Sequence, residues 1–229
     1  MFASLALFAT SLVLAWSGPV SSGGSGKPGN GAALTNAALK TIAPGIYQIG
    51  KVRLDQKKRC VSFPAVINMN QALVEYLVVS ANGKTHESLL KTTAEPYHIH
   101  TAMLLLGAKG TQGRPFPEDK RKAIPGDAVK IEVSWDEQGK RKTCQAEDLI
   151  VDQTTKRSVS AGDWTYVGSN VEEGVFRAQQ EGSIISLIED PDALVNNPRP
   201  GRDNDDNWRI KSEGLPPLDS EVEVTLFMK

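Results

Sequence analysis

Short apolar runs of strand length, separated by turn signals, constrain the fold of this chain more than any other feature. Segments 59–68 (RCVSFPAVIN) and 73–80 (LVEYLVVS) are rich in β-branched and apolar residues, and 128–135 (AVKIEVSW) alternates as a half-buried strand does. Both alternating sets of positions in 73–80 are largely apolar, so we expect that strand to be central in a sheet. Three more segments have strand character: 164–169, 182–189 and 221–227.

Two consecutive helices are predicted between the second and third of these strands. Thr85 is the predicted N-cap of a short helix over 85–92 (THESLLKT). A longer helix is predicted over 96–106, because Pro96 lies in its first turn and Gly107 follows its end. This order predicts an α+β domain: a mainly antiparallel β-sheet or sandwich-like core, with two short consecutive helices after the second long strand.

The N-terminal residues predict an export segment followed by a linker. Residues 2–16 are apolar or small and uncharged, which is typical of a signal-peptide core and shorter than the about 20 residues of a spanning helix. No Lys or Arg precedes this run, and an uncleaved N-terminal anchor is the alternative. We predict a signal peptide over 1–17, a flexible Gly/Ser/Pro linker over 18–42 and one globular domain over 43–229. The predicted location is periplasmic or secreted, with no transmembrane segment beyond the export segment.

Composition argues against several classes of function. The formal net charge is -1 and aromatic residues are 6% of the chain, so a nucleic-acid partner is not expected. The chain has two cysteines, Cys60 and Cys144, and no CxxC motif, which argues against an iron–sulfur cluster or a zinc ribbon. In an oxidising compartment these cysteines are a candidate disulfide, and two buried thiols are the alternative.

All three histidines lie between Gly83 and Gly107. A His/Glu cluster of this kind suits a divalent metal or acid–base chemistry, and structural histidines with solvated neighbours are the other interpretation. His98 and His100 are about 200° apart on a helix, so they cannot face one site, and His100 is favoured as the inward residue.

A second polar cluster lies at 202–209 (RDNDDNWR). Its acidic residues begin with the spacing of a calcium loop, but Trp208 and Gly214 stand where that loop needs Gly and Glu, so we predict a capped or solvated turn. The aspartates would still complete a site with the histidines if the fold brought them together. The candidate ligand- or metal-binding residues are therefore His86, Glu87, His100, Asp205 and Asp206.

Taken together, these motifs resemble the YdjY-domain family of uncharacterised bacterial exported proteins. The likeness runs from about residue 45 to the end of the chain. It implies a bacterial, often exported protein and no established activity. Some members are labelled ferredoxin-like, but this chain lacks the cysteines for that. The matching segments are 61–68 (VSFPAVIN), 74–79 (VEYLVV), 83–90 (GKTHESLL), 100–107 (HTAMLLLG), 164–169 (WTYVGS) and 190–208 (DPDALVNNP…DDNW).

Two hypotheses on function remain open at this point. The favoured one is a non-enzymatic binding or structural module of the cell envelope, whose partner is an envelope protein or a small ligand. The alternative is a metal-dependent, hydrolase-like enzyme that uses the His/Glu/Asp cluster. The sequence names no catalytic residue, substrate or cofactor, and a divalent metal is the one cofactor that its clusters suggest.

Overall fold

The computed structural model describes residues 37–229, in which seventeen strands and two α-helices form. The helices are α1 (Pro96–Leu105) and α2 (Arg177–Glu181). The strands are β1 (Lys40–Ala43), β2 (Ile46–Ile49), β3 (Val52–Asp55), β4 (Cys60–Ile67), β5 (Tyr76–Ser80), β6 (Ser88–Thr92), β7 (Asp127–Glu137), β8 (Lys140–Gln145), β9 (Ile150–Asp152), β10 (Arg157–Ser158), β11 (Trp164–Tyr166), β12 (Val171–Glu172), β13 (Val175–Phe176), β14 (Ser183–Ser186), β15 (Val195–Asn196), β16 (Trp208–Ile210) and β17 (Glu221–Met228).

Eight of these strands close into a barrel. Their order is β4-β17-β7-β11-β15-β14-β5-β6, and β6 pairs back onto β4. Neighbours are antiparallel except for β14 with β15 and β5 with β6. On β17, Val222, Val224 and Leu226 alternate with more exposed residues and join the buried core, as a half-buried strand requires. A barrel of eight strands is just wide enough for such side chains to fill it.

The predicted α+β sandwich with two consecutive helices is wrong. The segment predicted as the first helix is a single 3₁₀ turn, Thr85–Glu87, followed directly by β6. Leu89 and Leu90 are both fully buried, and the backbone of β6 pairs with β5 on one side and β4 on the other. These pairings close the barrel, so tertiary hydrogen bonding outweighs the helical preference of the local sequence. The second predicted helix is confirmed as α1.

Two barrel strands change partners along their length. The first residues of β4 pair with β3 and its last residues with β6. Pro64 lies between the two stretches, where a residue without an N–H group loses no ladder bond, and the Thr92 hydroxyl donates to its carbonyl. In the same way β7 pairs first with β11 and then with β8. The meander β1–β2–β3 and the strand β8 therefore extend from the barrel.

Smaller elements surround this barrel. The three-stranded sheet β10-β9-β16 and the two-stranded hairpin β12–β13 are separate from the main sheet. Helix α1 packs on β3 and β4 and also contacts α2. No helix in residues 37–229 is long and apolar enough to cross a membrane. The predicted signal peptide lies outside the described residues, and β1 occupies the last residues of the predicted linker.

The two cysteines do not form the candidate disulfide. Both are free thiols, Cys60 on β4 and Cys144 on β8. The strands β17 and β7 lie between them in the sheet, so the cysteines are three strand spacings of about 4.8 Å apart. That separation exceeds the reach of a disulfide, whose Cα atoms lie within about 7 Å. Burial raises the pKa of both thiols, that of Cys144 to about 12.

Candidate functional site

His86 and Glu87 lie together in the 3₁₀ turn that precedes β6. His86 is exposed, and its Nε2 is 3.1 Å from the Glu87 Oε1. Glu75 is a third member that the sequence did not indicate. Burial raises the pKa of Glu75, and the negative charges of Glu87 and Asp205 raise it further. Glu87 and Asp205 thus both act on the charge of Glu75, while the site of His86, Glu87 and His100 with Asp205 or Asp206 stays a prediction.

Asp205 and Asp206 belong to the capped turn that we predicted. Residues Asp205–Asn207 form a 3₁₀ turn, and the side chain of Asn204 accepts a hydrogen bond from the Asp206 backbone N–H at 3.0 Å. The short polar segment is therefore organised by its own cap, which is the usual role of Asn before a helical turn.

His100 lies in a different environment from His86. Its Nδ1 is 2.7 Å from the hydroxyl of Tyr166, which is fully buried, and its ring centroid is 4.8 Å from that of Phe176. Burial lowers the pKa of His100 below its ordinary value of 6.5. Within residues 37–229, no three His, Cys, Asp or Glu side chains are arranged to hold a metal ion. The metal site stays a prediction without a supporting geometry.

His98, and not His100, is the more deeply buried histidine of α1. It is 4% exposed and lies beside the turn at Gly50, where an added Cβ would be 2.6 Å from the His98 Nδ1. The sequence favoured His100 as the inward residue, and that expectation is wrong. The buried apolar residues Ile99, Ala102 and Met103 recur with the period of a helix, and His98 is buried next to them.

A groove of about 640 Å³ crosses the outer face of the barrel at the point where β4 changes partners. Its floor is formed by β4 and β17, and its ends by β3 with β6 and by the β7–β8 hairpin. We call it the wall groove and define it by Lys51, Arg53, Lys91, Trp135, Arg141 and Glu223.

The charges of the wall groove are separated along its length. Lys51, Arg53 and Lys91 lie at the β3–β6 end, and the Lys51 Nζ donates to the Thr93 hydroxyl at 2.6 Å. The guanidinium of Arg53 makes no hydrogen bond or ion pair with any residue of the part that the structure describes. Toward the β7–β8 end, Asp136 and the two glutamates of the floor strand β17 line the groove, and Arg141 is paired with Glu223 at 2.6 Å. The groove is therefore cationic at one end and mainly acidic at the other.

Trp135 adds an unpaired donor beside the groove. It is 8% exposed, and its indole nitrogen is buried with no hydrogen-bond partner among residues 37–229. Trp164 shows the ordinary arrangement, because its indole nitrogen donates to the Glu147 carboxylate at 3.1 Å. An unsatisfied buried donor of this kind costs about 1–3 kcal/mol.

Sequence reasoning missed the wall groove because its residues come from distant segments. Arg141 belongs to a short basic run, 140–142 (KRK), that has no motif of a binding site, yet it lies at one end of the groove. Arg53 stands alone in the sequence between apolar residues, and no local pattern marks it. Only the pairing of β3, β4, β17 and β7 brings these side chains to one face.

Comparison with known proteins identifies the family. No curated protein and no solved structure gives a significant match to this chain. A family model described as the YdjY domain matches residues 52–227, which include every strand from β3 to β16 and almost all of β17. The chain therefore belongs to the YdjY domain family.

Proposed function

We propose that this protein is an exported, non-enzymatic binding module of the bacterial cell envelope. In this proposal the wall groove holds a short charged segment of a partner envelope protein. The observation that carries the proposal is the unpaired guanidinium of Arg53 in an open groove with cationic and acidic ends. The uncharged run at 2–16 and the following Gly/Ser linker support export to the periplasm or the exterior.

The size and position of the wall groove support binding. Its volume of about 640 Å³ lies within the range of about 300–1,000 Å³ in which proteins bind small ligands. It is built on strands of the barrel, which hold side chains more precisely than loops do. The polar residues Ser62, Thr92 and Ser134 also line it. The groove therefore combines a rigid floor with polar groups along its length.

The separated charges indicate what kind of segment fits. Arg53, with Lys51 and Lys91 beside it, suits a carboxylate, since a guanidinium can hold both oxygens of that group. The acidic end, where Asp136 and Glu221 lie, suits a lysine or arginine of the same segment. A segment with an acidic and a basic residue a few positions apart would thus bind in one orientation.

Titration with a short peptide tests this proposal. The probe is the tetrapeptide Ac-Glu-Ala-Ala-Lys-NH₂, and its matched control has Gln at both ends. Backbone amide shifts are measured for the wild type, for Arg53→Glu and for Lys130→Glu. Lys130 is an exposed residue of β7 that does not line the groove, and its substitution changes the charge equally.

We expect saturable shifts confined to the wall groove for the charged peptide. Arg53→Glu should weaken binding by roughly tenfold or more, because it removes one charge-assisted pair. Lys130→Glu should bind as the wild type does. Equal affinity for the charged and uncharged peptides, equal loss in both variants, or no saturable binding would each contradict the proposal.

A further inference from the structure

A second concavity, of about 630 Å³, lies beside the small sheet β10-β9-β16 and away from the wall groove. The segment after β9, the loop around Arg199 and the first residue of β16 line it. We call it the Trp208 cleft and define it by Thr155, Arg157, Ser158, Arg199, Pro200 and Trp208. It shares no residue with the wall groove.

Arg199 brings a buried positive charge to this cleft. It is 8% exposed, and its guanidinium donates to the carbonyls of Ser160 and Gly162 at 2.7 and 3.0 Å and to the Asn197 side chain at 3.2 Å. The carboxylate that pairs with it, Glu147, is 4.0 Å away. Burial lowers the pKa of Arg199. The Arg199 guanidinium also lies 5.1 Å from the centroid of the Trp164 ring. Its direct hydrogen bonds all go to neutral acceptors, so an anion at this place would add a charge-assisted partner.

Arg157 and Trp208 add two further groups without partners. Arg157 is exposed, and its side chain makes no hydrogen bond or ion pair within residues 37–229. Trp208 is 1% exposed, and its buried indole nitrogen has no hydrogen-bond partner in the same part of the chain. The Arg157 guanidinium can therefore exchange its water for an oxyanion, and the Trp208 ring contributes to the wall of the cleft.

The remaining lining of the cleft limits the kind of anion. Asp152 is its one acidic residue, and the backbone N–H groups of Thr154 and Thr155 donate to that carboxylate at 2.8 and 3.2 Å. Its charge is thus engaged in its own turn. Val159 and Pro200 provide apolar surface beside the arginines. The lining therefore combines one cationic region with an apolar wall.

We propose that the Trp208 cleft binds a small organic carboxylate. The carboxylate lies between Arg157 and Arg199, and the apolar body of the ligand packs against Pro200 and Trp208. The planar fork of Arg157 matches both carboxylate oxygens. This site is independent of the proposed function, since the two concavities share no residue and involve different strands.

The test follows the indole N–H resonance of Trp208 in a ¹⁵N spectrum. The probes are benzoate and, separately, inorganic phosphate, which has the charge without the apolar body. The test variant is Arg157→Gln. Its matched control is Lys156→Gln, which removes the same charge from the neighbouring residue, and Lys156 does not line the cleft. Both positions are exposed, so thermal melts should show that both variants fold. Arg53→Glu serves as the cross-control from the wall groove.

We expect benzoate to shift the Trp208 resonance saturably and more tightly than phosphate does. Arg157→Gln should weaken benzoate binding by roughly tenfold, because it removes one charge-assisted pair. Lys156→Gln and Arg53→Glu should bind benzoate as the wild type does. The proposal is overturned if benzoate causes no saturable shift, if Arg157→Gln and Lys156→Gln behave alike, or if phosphate binds as tightly as benzoate. Failure of the peptide titration leaves this result unchanged, so the two proposals can fail separately.

Discussion

Two regions differ in how many of their polar groups have partners within the protein. One is the segment 83–107, which contains all three histidines, and the other is the wall groove. In the histidine segment, His86 is 3.1 Å from Glu87, His98 is buried against the turn at Gly50, and His100 is bonded to Tyr166. In the wall groove, Arg53 has no partner among the described residues and the Trp135 indole nitrogen is unsatisfied. The segment that contains more candidate site residues in the sequence is thus the one whose side chains already have partners within the protein.

This difference shows what distinguishes a binding surface from a structural polar cluster. A buried polar group that already has its partner holds elements together and has little left to offer a ligand. A buried donor without a partner keeps a free-energy cost. An exposed cation without a protein partner, such as Arg53, is hydrated and can exchange that water for a charged ligand. Three predictions test the structural half of the comparison, beginning with the largest expected effect.

Gly50→Ala should destabilise the protein by about 3 kcal/mol. Gly50 has φ +54, a left-handed value that costs an L-residue about 1–2 kcal/mol, and the new Cβ would also press on His98. Gly113→Ala is the matched control, since Gly113 has φ +75 and nothing within 4 Å of an added Cβ. Urea denaturation measures both free energies of unfolding. Equal losses would mean that His98 is not packed tightly, and the comparison would weaken.

His100→Ala should lower the free energy of unfolding by about 1–3 kcal/mol, because it leaves the buried hydroxyl of Tyr166 without its partner. His86→Ala should cost less than about 0.5 kcal/mol, since His86 is exposed and its pair with Glu87 is on the surface. The same denaturation experiment measures both. Unchanged stability in both variants, together with loss of a bound metal from both, would instead support the metal-site hypothesis.

Stability should decrease as the pH falls below about 6.5, and His100 should be responsible for part of the decrease. Burial lowers the pKa of His100 in the folded state below its ordinary value of 6.5, so the unfolded chain takes up the proton first. The contribution of His100 to stability is complete above the pKa that it has in the unfolded chain. It is lost as the pH falls through the lower pKa that it has in the folded protein. His100→Gln should flatten this part of the curve, measured as unfolding free energy against pH. A curve identical to that of the wild type would show that His100 does not titrate in this way.

Much of the fold could be predicted where local pattern and tertiary environment agree. The alternating segment 128–135 is part of β7, the segment 221–227 is part of β17, and Pro96 and Gly107 bound α1 as predicted. The motifs also sufficed for the family, which the match over 52–227 confirmed. In these segments the buried residues recur with the period of the element that they form, so the sequence alone was informative.

The rest required the closed barrel. The segment 85–92 has a helical pattern. Ser88–Thr92 forms a strand because its backbone pairs with β4 on one side and β5 on the other. The sequence indicated several of the strands, among them β4, β5, β7 and β17, but not that they close, since closure depends on pairings between residues far apart in the chain. The sequence shows two cysteines, but not that β17 and β7 separate them in the sheet. It also shows three histidines, but not which side chains they contact. Only the tertiary structure assembled Arg53, Arg141 and Trp135 into one groove, because hydrogen bonding between distant strands, and not spacing along the chain, sets which side chains share a face of a sheet.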